Sequence, residues 1–409
     1  MKKLSAYPVF LIYSGVSALS LSVAFTSFSI YCVQTVGLNP FQLVLIGTVL
    51  EVSAFLFETP TGVVADVYSR RLSVIVGVFL LGLSIFWVGV TRSFSVILLT
   101  QVVAGLGYTF MSGAEQAWIS DEVGEAAAGR AFLRQSQVSR ICSFVGVFAS
   151  VGLASVALSL PIIVGGVAVI GIGVFLAIVM PETGFKPAPK GARSSWGQMG
   201  DTFRSGLRTV RGRPTLITIL AIGVFFGLSS EGPDRLWEAH LLKNFTFPEL
   251  WQFEYVVWFG LIRAVEMLLS ITAVEFIRRR VDTTNHRAVA TSLLVVNACI
   301  IAAMVTFGLA GNFTLAIASL WAMRICRTVS SPINQAWINQ HTEAKVRATV
   351  FSMAGQVDAF GQMVGGPIVG AIGAARSIRA ALVASGALLS PVLPLFARTI
   401  GQDRTKVQS

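Results

Sequence analysis

Apolar residues run along this chain in blocks of roughly span length, each closed by a short cluster of charge, Gly or Pro. The blocks show neither the strict alternation of a half-buried strand nor the narrow stripe of a soluble helix. Crossing the core of a bilayer takes ~20 helical residues, and blocks bounded in this way predict twelve spans. The first six cover 8–33, 40–66, 72–91, 94–120, 130–157 and 159–180. The second six cover 214–240, 248–276, 288–310, 312–340, 346–374 and 377–398. Between the groups the pattern breaks, and 181–213 carries Lys186, Lys190, Arg193, Arg204, Arg208, Arg211 and Arg213 with Pro187 and Pro189. The expected organisation is an N-terminal six-helix bundle over 1–185, a basic linker over 186–213, and a C-terminal six-helix bundle with a short tail over 214–409. Within the linker, Trp196, Met199, Phe203, Leu207 and Val210 recur at three- and four-residue steps, which predicts a short amphipathic helix on the membrane surface; a solvated tether is the alternative.

The two groups are related by sequence as well as by number. Gln116-Ala117-Trp118-Ile119 recurs as Gln335-Ala336-Trp337-Ile338, and at the same offset Gln137-Val138 matches Gln356-Val357 and Val145-Gly146 matches Val364-Gly365. A parallel repeat of six spans joined by a linker is the architecture of two bundles that rock about a midplane site.

Composition agrees with burial in lipid. The chain of 409 residues is 54% hydrophobic and 12% charged, where a soluble domain carries about a quarter charged residues. Its mean hydropathy is +0.73. The net charge of +11 would suit nucleic acid if it lay on one surface. Instead most Lys and Arg fall at the ends and loops expected on the cytoplasmic side, so the charge reads as topology, with both termini cytoplasmic and the plasma membrane as the site, and no nucleic acid as partner. Lys2 and Lys3 precede an apolar run with no small-residue cleavage site before it reaches span length, which predicts a retained first helix. Cys32, Cys142, Cys299 and Cys326 lie inside apolar runs without CxxC spacing, so neither a disulfide framework nor a metal site is expected. The stretch 233–258 reads as the most polar outer loop, and Trp237, Trp251, Tyr255 and Trp258 in it suit an interfacial belt, with an extracellular binding lid as the alternative.

The second span closes in Glu58-Thr59-Pro60-Thr61-Gly62, followed by Asp66, Ser69, Arg70 and Arg71 before the next apolar run at Leu72. Two Arg in a short loop place it on the cytoplasmic side, and Gly62 offers room for close helix approach. This loop resembles the G-x-x-x-D-x-x-G-R-[KR] element of the major facilitator superfamily, with Ser69 in place of a Gly and a less tight turn expected there. The resemblance extends over the whole chain through the twelve spans, the long linker, Pro181-Glu182-Thr183 after the sixth span, and the Gly-rich eleventh span with Gly361, Gly365, Gly366, Pro367 and Gly370. It points in a general way to permeases of the drug-efflux type. It implies a gate in which Asp66 and Arg70, beside Gly62 and Arg71, act with an acid ending the fourth span, Asp121 or Glu122. Two departures limit it: Gln101 and Ala104 stand where proton-coupled members carry R-x-x-Q, and the fifth span lacks Gly-Pro.

Charges inside spans are costly and mark a polar interior. Glu58, Glu115, Glu231 and Asp358 are the candidate proton carriers, since a carboxyl in a poorly solvated cavity can exchange a proton in the working pH range. Arg263 and Glu266, three apart, share a helix face and are expected to neutralise one another. Arg324 and Arg327 are likewise three apart, and Asp358 is expected to pair with one of them. The other Arg is then left to attract an anionic group on a substrate, or to pair with Glu231 or another acid. Gln116, Gln335, Trp118 and Trp337, with Gln34, Asn334, Trp321 and Phe226, are candidate cavity contacts, although a helical Trp more often packs.

His240, His286 and His341 lie at span ends or in loops, far apart in sequence, and no H-E-x-x-H, G-x-S-x-G or phosphate-binding Gly loop occurs, so an enzyme is disfavoured and no cofactor is expected. The reading is a monomeric secondary transporter that moves a small molecule by alternating access, with proton-coupled export of amphipathic compounds ahead of uptake of a small anionic metabolite. A membrane-embedded enzyme or a non-transporting receptor is the rival from another class.

Overall fold

The computed structural model describes residues 4–187, 214–248, 255–280 and 285–408, all helical or in short connections. The proposed linker helix, Lys2, Lys3 and Trp251 lie outside the described residues. In the first half the helices are α1 (Ala6–Gln34), α2 (Pro40–Val67), α3 (Arg70–Val90), α4 (Phe94–Met111), α5 (Ala114–Val123), α6 (Glu125–Ala154) and α7 (Leu160–Val179). In the second they are α8 (Pro214–Asn244), α9 (Tyr255–Arg280), α10 (His286–Leu309), α11 (Phe313–His341), α12 (Ala344–Ala375), α13 (Ile378–Leu389) and α14 (Val392–Gln408).

Two of the expected spans are broken. The fourth divides into α4 and α5 at Gly113, whose φ of 74° is a left-handed conformation that only Gly adopts freely. The twelfth divides into α13 and α14 around Pro391. Counting α4 with α5 and α13 with α14, ten helical stretches among the described residues are long and apolar enough to cross a membrane. The other two, α11 and α12, are as long but more polar, because they carry Arg324, Arg327, Asp358 and Gln362. The protein is an all-α, twelve-span polytopic membrane protein.

Among the described residues the chain forms two compact units. One holds 4–38, 49–187 and 255–260, the other 39–48, 214–248, 261–280 and 285–408. In the first unit α1 packs on α6 and α7, and α3 on α4 and α7; in the second α8 packs on α12 and α13, and α10 on α11, α13 and α14.

The repeated Val-Gly dipeptides sit at equivalent contacts inside their own units. A Cβ on Gly146 would meet the Leu19 carbonyl of α1 at 2.7 Å, and one on Gly365 would run into the Leu228 backbone of α8, with its Cα at 2.6 Å. Gly227 and Gly361 complete the second seam, so α8 and α12 approach backbone to backbone. Without a hydrophobic driving force between helices in lipid, such small-residue contacts are what lets dispersion hold a bundle together.

Candidate functional site

The polar centre of the second unit is built from four helices. Pro233 does not end α8, which runs on to Asn244, and Glu231, Asp234 and Glu238 therefore lie at i, i+3 and i+7 along one stripe. Arg263 and Glu266 come from α9, Arg324 and Arg327 from α11, and Asp358 and Gln362 from α12. Asp234 and Arg327 form a two-pronged pair, with Nη1 to Oδ1 at 2.5 Å and Nη2 to Oδ2 at 2.9 Å. Arg324 Nη1 lies 3.1 Å from Glu266 Oε2, Arg263 Nη2 2.9 Å from Glu238 Oε1, and Arg235 Nε 3.4 Å from Glu231 Oε2. The Trp237 ring, 1% exposed, lies under two of these cations, with the Arg324 guanidinium 4.6 Å and that of Arg263 5.4 Å from its centroid. Trp321 Nε1 donates to the Ile262 carbonyl at 3.0 Å, which ties α11 to α9. Gly47, in the turns of α2 that belong to this unit, leaves the space taken by the Glu231 carboxylate and the Arg235 guanidinium.

Several expectations are corrected here. Arg263 and Glu266 do not pair with each other, because each reaches across to a partner on a neighbouring helix. Asp358 takes neither Arg324 nor Arg327; its Oδ2 accepts from Gln362 Nε2 at 2.8 Å. No guanidinium of the Arg324 and Arg327 pair is left over. The odd group is a carboxylate: four Arg each meet one acid, and Asp358 is the fifth acid. Trp237 is no interfacial anchor, since α8 continues past it and buries it. Asp234, Arg235 and Glu238 were missed by treating the stretch from Pro233 onward as an outer loop. Their helical spacing was the available signal.

In the first unit the loop between α2 and α3 is held by hydrogen bonds. Arg70 pairs with Asp121 and donates to the Ala117 carbonyl at 2.9 Å. Ser69, in extended backbone at φ −173°, caps α3 by accepting from Leu72 N and donates to Glu182 Oε2 at 2.7 Å. No left-handed residue is needed at that position, so Ser replaces Gly without a looser turn. Glu182 also accepts from Arg71 N at 2.9 Å. Glu122 does not bind Arg70 but accepts from the backbone of Thr183 and Gly184, at 2.5 and 2.7 Å. The segment after α7 is thereby strapped over the ends of α3 and α5. Asp66 is exposed and makes no ion pair among the described residues. Among the described residues nothing lies within 4 Å of a Cβ built on Gly62, and none of them makes the close helix approach expected there.

The Major Facilitator Superfamily model matches this chain over residues 10–236, more than half of its length. The chain belongs to the major facilitator superfamily. It is a membrane transporter of that family and not an enzyme. It is 23% identical over 398 residues to an uncharacterized MFS-type transporter, YxaM of Bacillus subtilis (strain 168), covering 96% of this chain and 95% of that one. Among solved structures it is similar to the nucleoside transporter NupG, with a TM-score of 0.75 at 13% identity over 97% of this chain and 99% of that one. It is also similar to a bacterial homologue of the human lysosomal transporter Spinster, in an inward-facing, unoccupied conformation, with a TM-score of 0.76 at 14% identity and 97% of each chain covered. At these identities the structures establish the fold.

The remaining candidates of this facilitator divide into packing and polar groups. Gln116 and Gln335 are both exposed, while Trp118 and Trp337 are buried at 2% and 0% exposure. Trp118 Nε1 donates to the Pro181 carbonyl at 2.7 Å, and Trp337 packs on Phe396 and His341. The repeated tetrapeptide thus marks the same packing position in each unit. Glu115, on α5, accepts from Tyr13 at 3.2 Å and Gln135 at 2.8 Å and has no cation partner among the described residues. Glu58 is exposed on α2.

Proposed function

We propose that this facilitator is a proton-coupled exporter of small amphipathic compounds, with Asp358 as the proton carrier and the ion-pair cluster of the second unit as one wall of the binding site. The observation that carries this is charge balance. All four Arg of the cluster are matched, so a proton can join or leave Asp358 without breaking an ion pair, and Gln362 offers a neutral partner in either state. Protonation of Glu231, Asp234, Glu238 or Glu266 would instead leave a guanidinium unmatched. The surplus carboxylate and the half-buried Trp321 ring favour a ligand that is apolar with a neutral or cationic end. Uptake of an anionic metabolite rested on a surplus guanidinium and loses that support. Alternating access would expose the cluster to each side in turn.

The test is reconstitution of the purified protein into liposomes, with a panel of cationic, neutral and anionic amphipaths in both membrane orientations. Asp358→Asn should abolish accumulation driven by a pH gradient while keeping substrate exchange at equal pH. Gradient-driven accumulation that survives in this variant removes Asp358 from the scheme.

A further inference from the structure

On α10, Arg287, Thr291 and Val295 follow one another at four-residue steps, with Ala288, Ser292 and Val296 on the adjacent line. Together with Asn285, Ile277 near the end of α9 and Ile333 of α11, they line an open groove of about 670 Å³ within the second unit. This lies in the range typical of small-molecule sites. The lining is graded along the helix. A guanidinium and an amide stand at the helix start, two hydroxyls follow one turn later, and Val295 and Val296 stand deeper, beside Ile333.

The groove is distinct from the ion-pair cluster, and its cation is available. Arg279 is matched by Glu275 at 2.8 Å, and Arg280 lies over the Phe276 ring at 5.3 Å. Arg287 is exposed and has no carboxylate partner among the described residues. Val295, two turns further on, is 55% exposed. An apolar side chain exposed at that depth of a membrane-crossing helix suits acyl chains, while the start of the same helix stands at the headgroup level. Polarity that declines from Arg287 to Val295 therefore parallels the profile of one bilayer leaflet.

We propose that this groove is a binding site for an anionic phospholipid. The lipid phosphate would sit at Arg287 and the Asn285 amide, its glycerol ester oxygens at the Thr291 and Ser292 hydroxyls, and one acyl chain along Val295, Val296, Ile277 and Ile333. Basic pockets between membrane helices take such headgroups through the same charge complementarity. A peptide helix is a poorer fit, because its apolar stripe would have to cover Arg287 and both hydroxyls.

The experiment is native mass spectrometry of the full-length protein in detergent with phosphatidylglycerol or phosphatidylcholine of identical chains. The wild type should retain phosphatidylglycerol preferentially. Arg287→Gln should lower that preference by about fivefold, the worth of one basic residue at the membrane surface. Thr291→Trp, which fills the groove and keeps the charge, should lose both lipids. Arg376→Gln, an exposed position outside the groove, should change nothing. Three results overturn the proposal: a preference indifferent to Arg287→Gln, retention that survives Thr291→Trp, or displacement of the lipid by inorganic phosphate at equal concentration, which would mark a simple anion site.

Discussion

Removing the Asp234–Arg327 pair from its two ends should give unequal results. As it stands, the cluster holds five carboxylates and four guanidiniums, a formal charge of −1. Asp234→Asn brings it to zero, and the stranded Arg327 still has Asp358 and Glu231 near enough to act on it electrostatically. Arg327→Gln takes the cluster to −2, leaving Asp234 without its partner and Asp358 and Glu231 with one nearby positive charge fewer. Breaking a fully buried pair costs about 3–5 kcal/mol, and an exposed pair is worth about 1 kcal/mol or less. With the side chains 31% and 42% exposed, Arg327→Gln should cost about 2 kcal/mol and Asp234→Asn about 1 kcal/mol or less. For a cooperative unit of this size that corresponds to roughly 4–8 °C and at most about 4 °C in Tm. Thermal unfolding of detergent-purified protein reads the difference, which should narrow as ionic strength rises to about 1 M. The double variant restores the charge of −1 and should melt above Arg327→Gln alone. Asp234→Asn as damaging as Arg327→Gln, or a double variant equal to the sum of the singles, would refute the charge-balance reasoning.

Packing supplies two further contrasts. Gly365→Ala drives a methyl into the Leu228 backbone and should destabilise by about 1–3 kcal/mol. Gly62→Ala meets open space and should be neutral or stabilise by up to about 1 kcal/mol, and the two melting curves settle it. Trp118→Phe deletes a donor to the Pro181 carbonyl and should cost about 1 kcal/mol more than Trp337→Phe, whose Nε1 has no hydrogen-bond partner among the described residues. Glu182→Gln weakens the charge-assisted bonds to Ser69 and Arg71 N. Hydrogen exchange should rise at the Arg71 amide and stay unchanged at Thr183 and Gly184, which Glu122 holds.

The bundle architecture was legible in the sequence because apolar length and charge placement are nearly sufficient to specify spans in lipid. Partner choice inside the bundle was less so. Arg263 and Glu266 have ideal spacing for a pair on one helix, yet Glu238 and Arg324 on facing helices compete for them, and spacing along one helix cannot report a neighbour across the bundle. Pro233 and the run of charge after it read as a loop, since neither is common inside a span. The helix tolerates the charges because Asp234 and Glu238 find Arg partners on α11 and α9. Arg70 with an acid closing the fourth span was visible from the resemblance, whereas the strap held by Glu182 and Glu122 joins positions whose separation along the chain hides them.

The matching burial of Trp118 and Trp337, set against the unmatched charges nearby, has a practical consequence. At the offset that aligns these tryptophans, Glu115 stands opposite Asn334, and nothing equivalent to the Arg324 and Arg327 pair faces it. A saturation map of substitutions scored for fold and one scored for activity should therefore differ in symmetry. The first should look alike in the two halves, and the second should be concentrated in the half that carries the arginines.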